Sequence, residues 1–170
     1  MQETAAEYTR RLLGYQRGKR PVSVMATTPR KIGALLKGTA RAKLRWKPGP
    51  GRWSVGEILA HLADTELVFG FRIRFVLGSN GARIQAFDQD VWATNFRYDK
   101  HDPKASFDAF SAQRVHNLGF LRILPKSMWT YYGMHEERGK ETIARMTAMM
   151  AGHDLNHLMQ IERILKGPPH

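Results

Sequence analysis

Residues 54–69 read SVGEILAHLADTELVF and contain the clearest helix start in the chain. Ser54 followed by Glu57 fits a capping box, in which each side chain accepts a hydrogen bond from the other residue's backbone amide. Apolar residues then recur at the helical spacing until the glycine-containing run at 78–81. The stretch therefore predicts a long helix that begins at Ser54 and carries His61 near the edge of its apolar face.

Three more long helices and one short one are predicted on either side of this stretch. Their expected ranges are a leading helix at about 3–17, a first long helix from Thr28-Pro29 to about Lys43, a third from Asp102-Pro103 to Leu124, and a fourth from Glu141-Thr142 to about Lys166. Residues 82–101 and 126–140 lack a sustained period and are expected to be connections, the first with one short helical piece and the second irregular. Four long periodic segments without alternating strands predict an all-α four-helix bundle with a short extra N-terminal helix.

Length and composition place limits on the class of protein. With 170 residues the chain is expected to form a single domain, 1–170, in which 1–27 supply the leading helix and a basic loop. It has no cysteine, which excludes disulfides, thiolate metal ligands and a cysteine nucleophile. Neither an apolar run of membrane-spanning length nor a secretory signal is recognisable. We expect a cytoplasmic protein without a membrane contact.

The positive charge is unevenly distributed along the chain. The formal net charge is +12, and the first fifty residues carry most of the excess. Their basic residues are Arg10, Arg11, Arg17, Lys19, Arg20, Arg30, Lys31, Lys37, Arg41, Lys43, Arg45 and Lys47. Clustered cations of this kind can bind nucleic acid, but they are also typical of a solvated helix face. Because no nucleic-acid-binding motif accompanies them, we do not expect a nucleic-acid partner.

Three histidines are placed where they can meet inside the bundle. His153 and His157 are four residues apart in the fourth long helix, so they lie on one face, about 6 Å apart along the axis. Each follows a core methionine, Met146 or Met150, by seven residues, which points both imidazoles inward. With His61 from the second long helix they could hold one divalent cation. An HxxxH pair also arises by chance, and buried histidines can satisfy each other, so the spacing alone leaves a structural role open.

The four other histidines have no such placement. His101 and His135 fall in predicted loops, His116 is isolated on the third long helix, and His170 is at the terminus. A structural or solvent-exposed role is expected for all four.

The sequence resembles a known family, the DinB-like (DinB/YfiT-like) metalloenzymes. The resemblance lies in Trp53–Asp64 followed by Arg72-Ile73-Arg74, in Phe87–Trp92, and in Ala151–Ile161 with its HxxxH pair, and it spans about residues 30–165. It implies a four-helix bundle of up-down-down-up topology. It further implies one metal ion, nickel or zinc, held by a histidine of the second helix and the pair of the fourth. Those positions are His61, His153 and His157 here.

The resemblance implies two kinds of chemistry on a small-molecule substrate, and often a homodimer. One is metal-dependent hydrolysis. The other is transfer of a low-molecular-weight thiol, such as bacillithiol or mycothiol, to an electrophile, and a chain without cysteine would need that thiol as a cosubstrate. A metal-binding or stress-related interaction module without turnover stays open as an alternative to either enzyme. A basic protein associated with nucleic acid is a third.

Candidates for assisting side chains are less clearly marked than the histidines. Glu57 and Asp64 flank His61 by about one helical turn, and Gln160 lies one turn beyond His157, so each could orient an imidazole or act as acid or base. Glu57 already has a capping role, however. Arg72 and Arg74 could bind an anionic substrate, but surface salt bridging explains arginines at a helix end equally well.

Overall fold

The computed structural model describes residues 3–167, in which helices predominate. The helices are α1 Ala5–Gln16, α2 Pro21–Leu36, α3 Arg41–Arg45, α4 Val55–Gly78, α5 Gln89–Asn95, α6 Pro103–Ile123 and α7 Ile143–Lys166. Two 3₁₀ turns, Tyr98–Lys100 and Lys126–Thr130, and the short strands β1 Arg83–Ile84, β2 Tyr132–His135 and β3 Gly139–Thr142 connect them. Each helix within residues 3–167 is too short or too polar to cross a lipid bilayer.

The predicted starts of three long helices are confirmed, because each depends on a local hydrogen bond. The Ser54 amide donates to Glu57 Oε2 at 2.8 Å, and the Glu57 amide donates back to Ser54 Oγ at 3.3 Å. At the start of α6, Asp102 Oδ1 accepts from the Ala105 amide at 3.0 Å. Thr142 caps α7 in the same manner. These side chains satisfy backbone amides that have no partner inside the helix.

The predicted start of the first long helix is wrong. That helix, α2, begins at Pro21, so the basic loop ends at Arg20 and does not reach residue 27. Pro29 lies inside α2, where it has no amide to donate to the carbonyl of Met25. The Arg114 guanidinium, 89 positions away in sequence, donates to that carbonyl at 2.9 Å instead. Because a distant side chain supplies the missing donor, the helix continues through a residue that normally starts or ends one.

A small three-stranded sheet replaces part of the two predicted connections. β2 and β3 form an antiparallel hairpin, with Tyr132 opposite Thr142 and His135 opposite Gly139. β1 pairs in parallel with β2 on its other edge. Gly133 is buried on β2 with no room for a side chain, because a Cβ there would overlap Ile84. The hairpin leads directly into α7 and brings residues 137–141 close to one end of the bundle.

Two apolar clusters show how the four long helices run. One contains Met25 of α2, Ile73 of α4, Leu118 of α6 and Met146 of α7, and the other contains Ile32, Ile58, Phe110 and Ile161 of the same helices. From the first cluster to the second, residue numbers rise in α2 and α7 and fall in α4 and α6. Thus α2 and α7 run one way and α4 and α6 the other, which confirms the up-down-down-up topology.

The leading helix α1 packs against α7 through a backbone contact. A Cβ placed on Gly152 of α7 would overlap the carbonyl of Leu12 in α1, so glycine is what allows this close approach. Leu12 is buried in the interface. The contact matters for function because Thr4, Ala5, Tyr8 and Leu12 of this N-terminal segment cover one side of the main cavity described below.

We expect Gly152→Ala to lower the free energy of unfolding by about 1–3 kcal/mol, because the added methyl group forces α1 away from α7. Urea unfolding followed by circular dichroism measures the change. Gly119→Ala on α6 is the matched control: a Cβ there meets nothing within 4 Å, so it should raise stability by up to about 1 kcal/mol through helix propensity. Equal stability of Gly152→Ala and the original chain would contradict the proposed contact.

Candidate metal centre

The three histidines singled out in the sequence meet at one point of the bundle. His61 projects from α4, and His153 and His157 project from adjacent turns of α7. The Nε2 atom of His153 lies 2.9 Å from Nε2 of His61 and 3.1 Å from Nε2 of His157. All three side chains are buried. The structure therefore brings the same nitrogen of each imidazole together, while their role as metal ligands stays a prediction.

Burial keeps these imidazoles neutral. It is the main cause that lowers the pKa of His61 and of His153 well below the usual value, and the neighbouring His157 adds to the effect at both. Burial likewise lowers the pKa of His157 to about 4, although a hydrogen bond with Gln160 acts in the opposite direction. A neutral imidazole has a free lone pair on one nitrogen. At neutral pH all three residues are thus in the form that binds a metal ion.

A second contact orients one of the three rings. His157 Nδ1 lies 3.0 Å from Gln160 Oε1, and because an amide oxygen can only accept, this proton is on Nδ1 and the lone pair is on Nε2. Thr65 Oγ1 lies 3.5 Å from Nδ1 and 3.4 Å from Nε2 of His61, so it favours neither nitrogen. The Nδ1 atom of His153 is buried without a hydrogen-bond partner in residues 3–167. Gln160 therefore lies beside the imidazole of His157, while its role in the chemistry stays a prediction.

The donor set fits a divalent transition metal. Zinc binds imidazole nitrogen at about 2.0–2.1 Å, so nitrogens that share one tetrahedral zinc ion lie roughly 3.3 Å apart. The Nε2 separations of 2.9 and 3.1 Å are close to that value. Within the described residues, the group of side chains able to hold a metal at this point comprises these three histidines alone. Three protein ligands leave a coordination position open.

A cavity of about 520 Å³ adjoins the centre, and His61 and His153 form part of its wall. Five residues of α4, at positions 61, 65, 68, 69 and 72, line one side, and Met146, Met149, Met150 and His153 of α7 line another. Its volume is in the range of small-molecule sites. Thr65, Val68 and Arg72 follow His61 by 4, 7 and 11 residues, so they lie in one stripe along the helix. This spacing is the sequence signal that could have identified Thr65 and Val68 as lining residues.

The two carboxylates beside His61 in sequence are used elsewhere. Glu57 is bound to the Ser54 cap, and its Oε1 accepts from Lys47 Nζ at 2.7 Å. Asp64 Oδ2 accepts from the Tyr98 hydroxyl at 2.6 Å. In addition, neither residue is among those that line the cavity. Their contacts account for both side chains without a part in the chemistry.

The four other histidines lie away from the centre or outside the described residues. His116 is exposed on α6, and His101 Nε2 bonds to the Phe96 carbonyl at 2.9 Å. His170 lies outside the described residues. The predicted loop position of His135 is wrong, because this residue is buried on β2, where burial lowers its pKa to about 4. The hairpin that buries it could not be identified from the sequence pattern.

Next to the centre is a buried charge network that sequence reasoning missed. Arg114 of α6 donates to Glu66 Oε2 of α4 at 2.8 Å and to both carboxylate oxygens of Asp154 of α7, at 2.5 and 2.8 Å. Asn117 Nδ2 donates to Glu66 Oε1 at 2.8 Å. Burial opposes the charge of Arg114, but the Asp154 and Glu66 carboxylates raise its pKa above the usual value. Because Asp154 follows His153 directly, the network joins α4, α6 and α7 at the level of the histidines.

Two known proteins that are similar in sequence to this chain carry the same description. Two proteins of Oceanobacillus iheyensis, each named a "putative metal-dependent hydrolase", are both 26% identical to this chain, over 115 and 117 residues. The alignments cover 66% and 68% of this chain but only 64% and 67% of the two relatives. The chain therefore matches about two thirds of their length.

A solved structure has the same fold. YfiT from Bacillus subtilis, described as "a probable metal-dependent hydrolase with an unusual four-helix bundle topology", superposes with a TM-score of 0.79 at 19% identity. The match covers 85% of this chain and 83% of YfiT, which shows the shared bundle. The family model described as the DinB superfamily matches residues 25–161, a span that contains all three histidines. This chain belongs to the DinB superfamily.

Proposed function

We propose that the chain is a metal-dependent hydrolase of a small molecule, with one divalent ion, zinc or nickel, held by His61, His153 and His157. The observation that carries the proposal is the convergence of three neutral Nε2 atoms, 2.9 and 3.1 Å apart, beside a cavity of about 520 Å³ whose wall includes His61 and His153. A divalent ion in such a site supplies Lewis-acid chemistry, since it acidifies water and polarises a carbonyl or phosphoryl oxygen. The names of the two Oceanobacillus relatives support the same activity.

The residues of this chain have three tasks in the proposed reaction. The neutral imidazoles direct their lone pairs to one point, and Gln160 keeps the proton of His157 on the far nitrogen. The methionine-lined wall of α7 gives the cavity an apolar side, which receives the apolar part of a substrate. Trp53 lies with its ring centre 4.9 Å from that of His61 and restricts rotation of this imidazole.

Two alternatives are distinguished by what surrounds the site. A module without turnover would be expected to have a fourth protein ligand and no adjoining cavity, whereas the described residues give three histidines beside a cavity. Thiol transfer uses the same histidines, and in this cysteine-free chain the thiol has to be a cosubstrate. Hydrolysis is preferred because it needs water alone as the second reactant.

The test begins with protein purified without a nickel resin. Elemental analysis should find about one divalent metal ion per chain. Hydrolysis of p-nitrophenyl esters should then stop after treatment with a chelator and return with added zinc, and His153→Ala should be inactive under all three conditions. A parallel assay supplies an external thiol with chlorodinitrobenzene. Metal-dependent conjugation of the thiol without ester hydrolysis would contradict the hydrolase and support the thiol transferase.

Further expectations remain proposals. We propose that residues 1–170 form one domain, that the protein is cytoplasmic and that it forms a homodimer. Most basic residues of the N-terminal third are exposed, on α1, α2, α3 and the loops that follow these helices, whereas Arg11 and Lys43 are half-buried. We propose no nucleic-acid partner for it.

A further inference from the structure

The cavity has a second polar end, away from the histidines. His61, Thr65, Val68 and Arg72 form one stripe of α4, and all four line the cavity. Eleven residues are close to three helical turns, so the backbone of Arg72 lies on the same face as that of His61, about 16 Å along the axis. The cavity therefore extends along α4 from the three histidines to an arginine.

The region between these ends is apolar. Val68 and Phe69 of α4 face it from one side, and Met146, Met149 and Met150 of α7 face it from another. Burying a hydrocarbon segment there is favourable by about 25 cal/mol per Å² of apolar surface removed from water. A molecule that occupies the whole length needs an apolar middle.

Arg72 differs from Arg138, the other arginine that lines the cavity, in how its charge is compensated. Arg138, also on the cavity wall, forms two hydrogen bonds with the Glu141 carboxylate, at 2.8 and 2.9 Å. Arg72 donates to the backbone carbonyl of Gln85 and lies over the Phe87 ring, with 5.5 Å between guanidinium carbon and ring centre. No carboxylate in residues 3–167 forms an ion pair with it.

Arg72 is half-buried and has free donors for a ligand. Burial, with a smaller contribution from Arg138, lowers the pKa of Arg72 to about 10, so the side chain is still charged at neutral pH. Glu141, Glu136 and Glu137 act in the opposite direction. A guanidinium has five N–H donors, and one backbone carbonyl leaves most of them free for a partner. A planar anion would satisfy two of them at once.

The other charges on the cavity wall limit what this anion can be. Glu3 is paired with Arg11, and Glu141 is paired with Arg138. Asp90 and Glu137 also line the cavity, and neither forms an ion pair within the described residues. Because two uncompensated carboxylates repel a dianion more than a monoanion, a carboxylate fits better than a phosphate monoester.

We infer that the substrate is an elongated monocarboxylate, with its carboxylate bound by Arg72, an apolar chain along the methionine wall, and its reacting group at the three histidines. The inference rests on the proposed function for the reacting end, whereas the carboxylate end depends on Arg72 alone. Arg74, the other arginine considered as a binder of an anionic substrate, lies away from the cavity. It donates to Asn117 and to the Gly70 carbonyl and does not line the cavity.

Binding of octanoate and of its neutral isostere octanamide, measured by titration calorimetry, tests the carboxylate end. The full-length protein as purified should bind octanoate at least about tenfold more tightly than octanamide, as expected for a charge-assisted pair. Arg72→Met should remove this preference and leave octanamide binding unchanged. Arg72→Gln, which can still donate to the Gln85 carbonyl, is a second neutral variant with the same expected loss. Arg122→Met, exposed at the end of α6, is the matched control and should keep the preference.

Each titration is repeated with a chelator present, so that failure of this inference can be told from failure of the metal site. A preference that survives chelation and disappears in Arg72→Met and Arg72→Gln supports the carboxylate site, whatever elemental analysis finds at the histidines. A preference that chelation abolishes and Arg72→Met retains would overturn it, since octanoate would then bind the metal. Equal affinity for octanoate and octanamide in the original chain would overturn it as well.

Discussion

Replacement of His153 by alanine is expected to reduce the metal content from about one ion per chain to nearly zero. His153 is the central member of the group, with its Nε2 atom 2.9 Å from that of His61 and 3.1 Å from that of His157. Its loss leaves two nitrogens from two different helices, and the affinity should fall by more than about 100-fold, because loss of an outer-shell partner alone typically costs 10–100-fold. His157→Ala should have the same result.

The matched control for this variant is His116→Ala, which removes an exposed histidine of α6. It should retain the metal in full. Gln160→Leu removes the hydrogen bond to His157 Nδ1 but no ligand, so an intermediate loss of about 10–100-fold is expected. Elemental analysis and competition with a chromogenic chelator give the metal content and the affinity.

Thermal unfolding supplies an independent measurement. A metal that binds only the folded chain raises its stability by RT ln(1 + [metal]/Kd), so added zinc should raise the unfolding temperature of the original chain and of His116→Ala. The same zinc should leave His153→Ala unchanged. A folded His153→Ala protein that retained one tightly bound ion would contradict the three-histidine site.

The second large effect is expected at Arg114, where Arg114→Met should lower the free energy of unfolding by about 3–5 kcal/mol. The side chain is fully buried and holds the Glu66 and Asp154 carboxylates, which are equally buried. Removal of the guanidinium leaves two negative charges inside the bundle without a counter-charge. It also leaves the Met25 carbonyl without its donor inside α2. Urea unfolding with linear extrapolation measures the loss.

Two comparisons identify the cause of that loss. Arg122→Met on the same helix removes an exposed arginine and should change stability by no more than about 0.5 kcal/mol. Combining Arg114→Met with Glu66→Gln and Asp154→Asn removes the two uncompensated charges, so the triple variant should be more stable than Arg114→Met alone. If the triple variant were no more stable than Arg114→Met, the loss would come from the missing packing of the arginine against Phe110 and not from the two charges.

The effects of these two substitutions should be separable. The histidines and the charge network are adjacent in the chain, since Asp154 follows His153 and Glu66 follows Thr65. Metal binding depends on three nitrogens that meet at one point, whereas the network holds α4, α6 and α7 together. A mildly destabilised Arg114 variant should therefore still bind metal when folded, which is the opposite of the behaviour expected of His153→Ala.

The sequence alone determined the features that depend on neighbours within four residues. The Ser54–Glu57 box, the Asp102 cap and the Thr142 cap are local hydrogen bonds, so the starts of α4, α6 and α7 could be predicted correctly. The HxxxH pair lies on one helical face for the same reason. His61 was marked by its place near the edge of the apolar face of its helix. Resemblance to the family then supplied the topology and the assignment of all three histidines to one metal ion.

Tertiary structure decided what depends on partners far away in the chain. Pro29 lies inside α2 because Arg114, 89 residues further on, satisfies the freed carbonyl of Met25. The hairpin of β2 and β3 and the uncompensated charge of Arg72 likewise arise only when distant segments meet. A local pattern records the bonds that a residue can make with its neighbours. It does not predict which distant residues folding brings next to a buried polar group, nor whether those residues can pair with it.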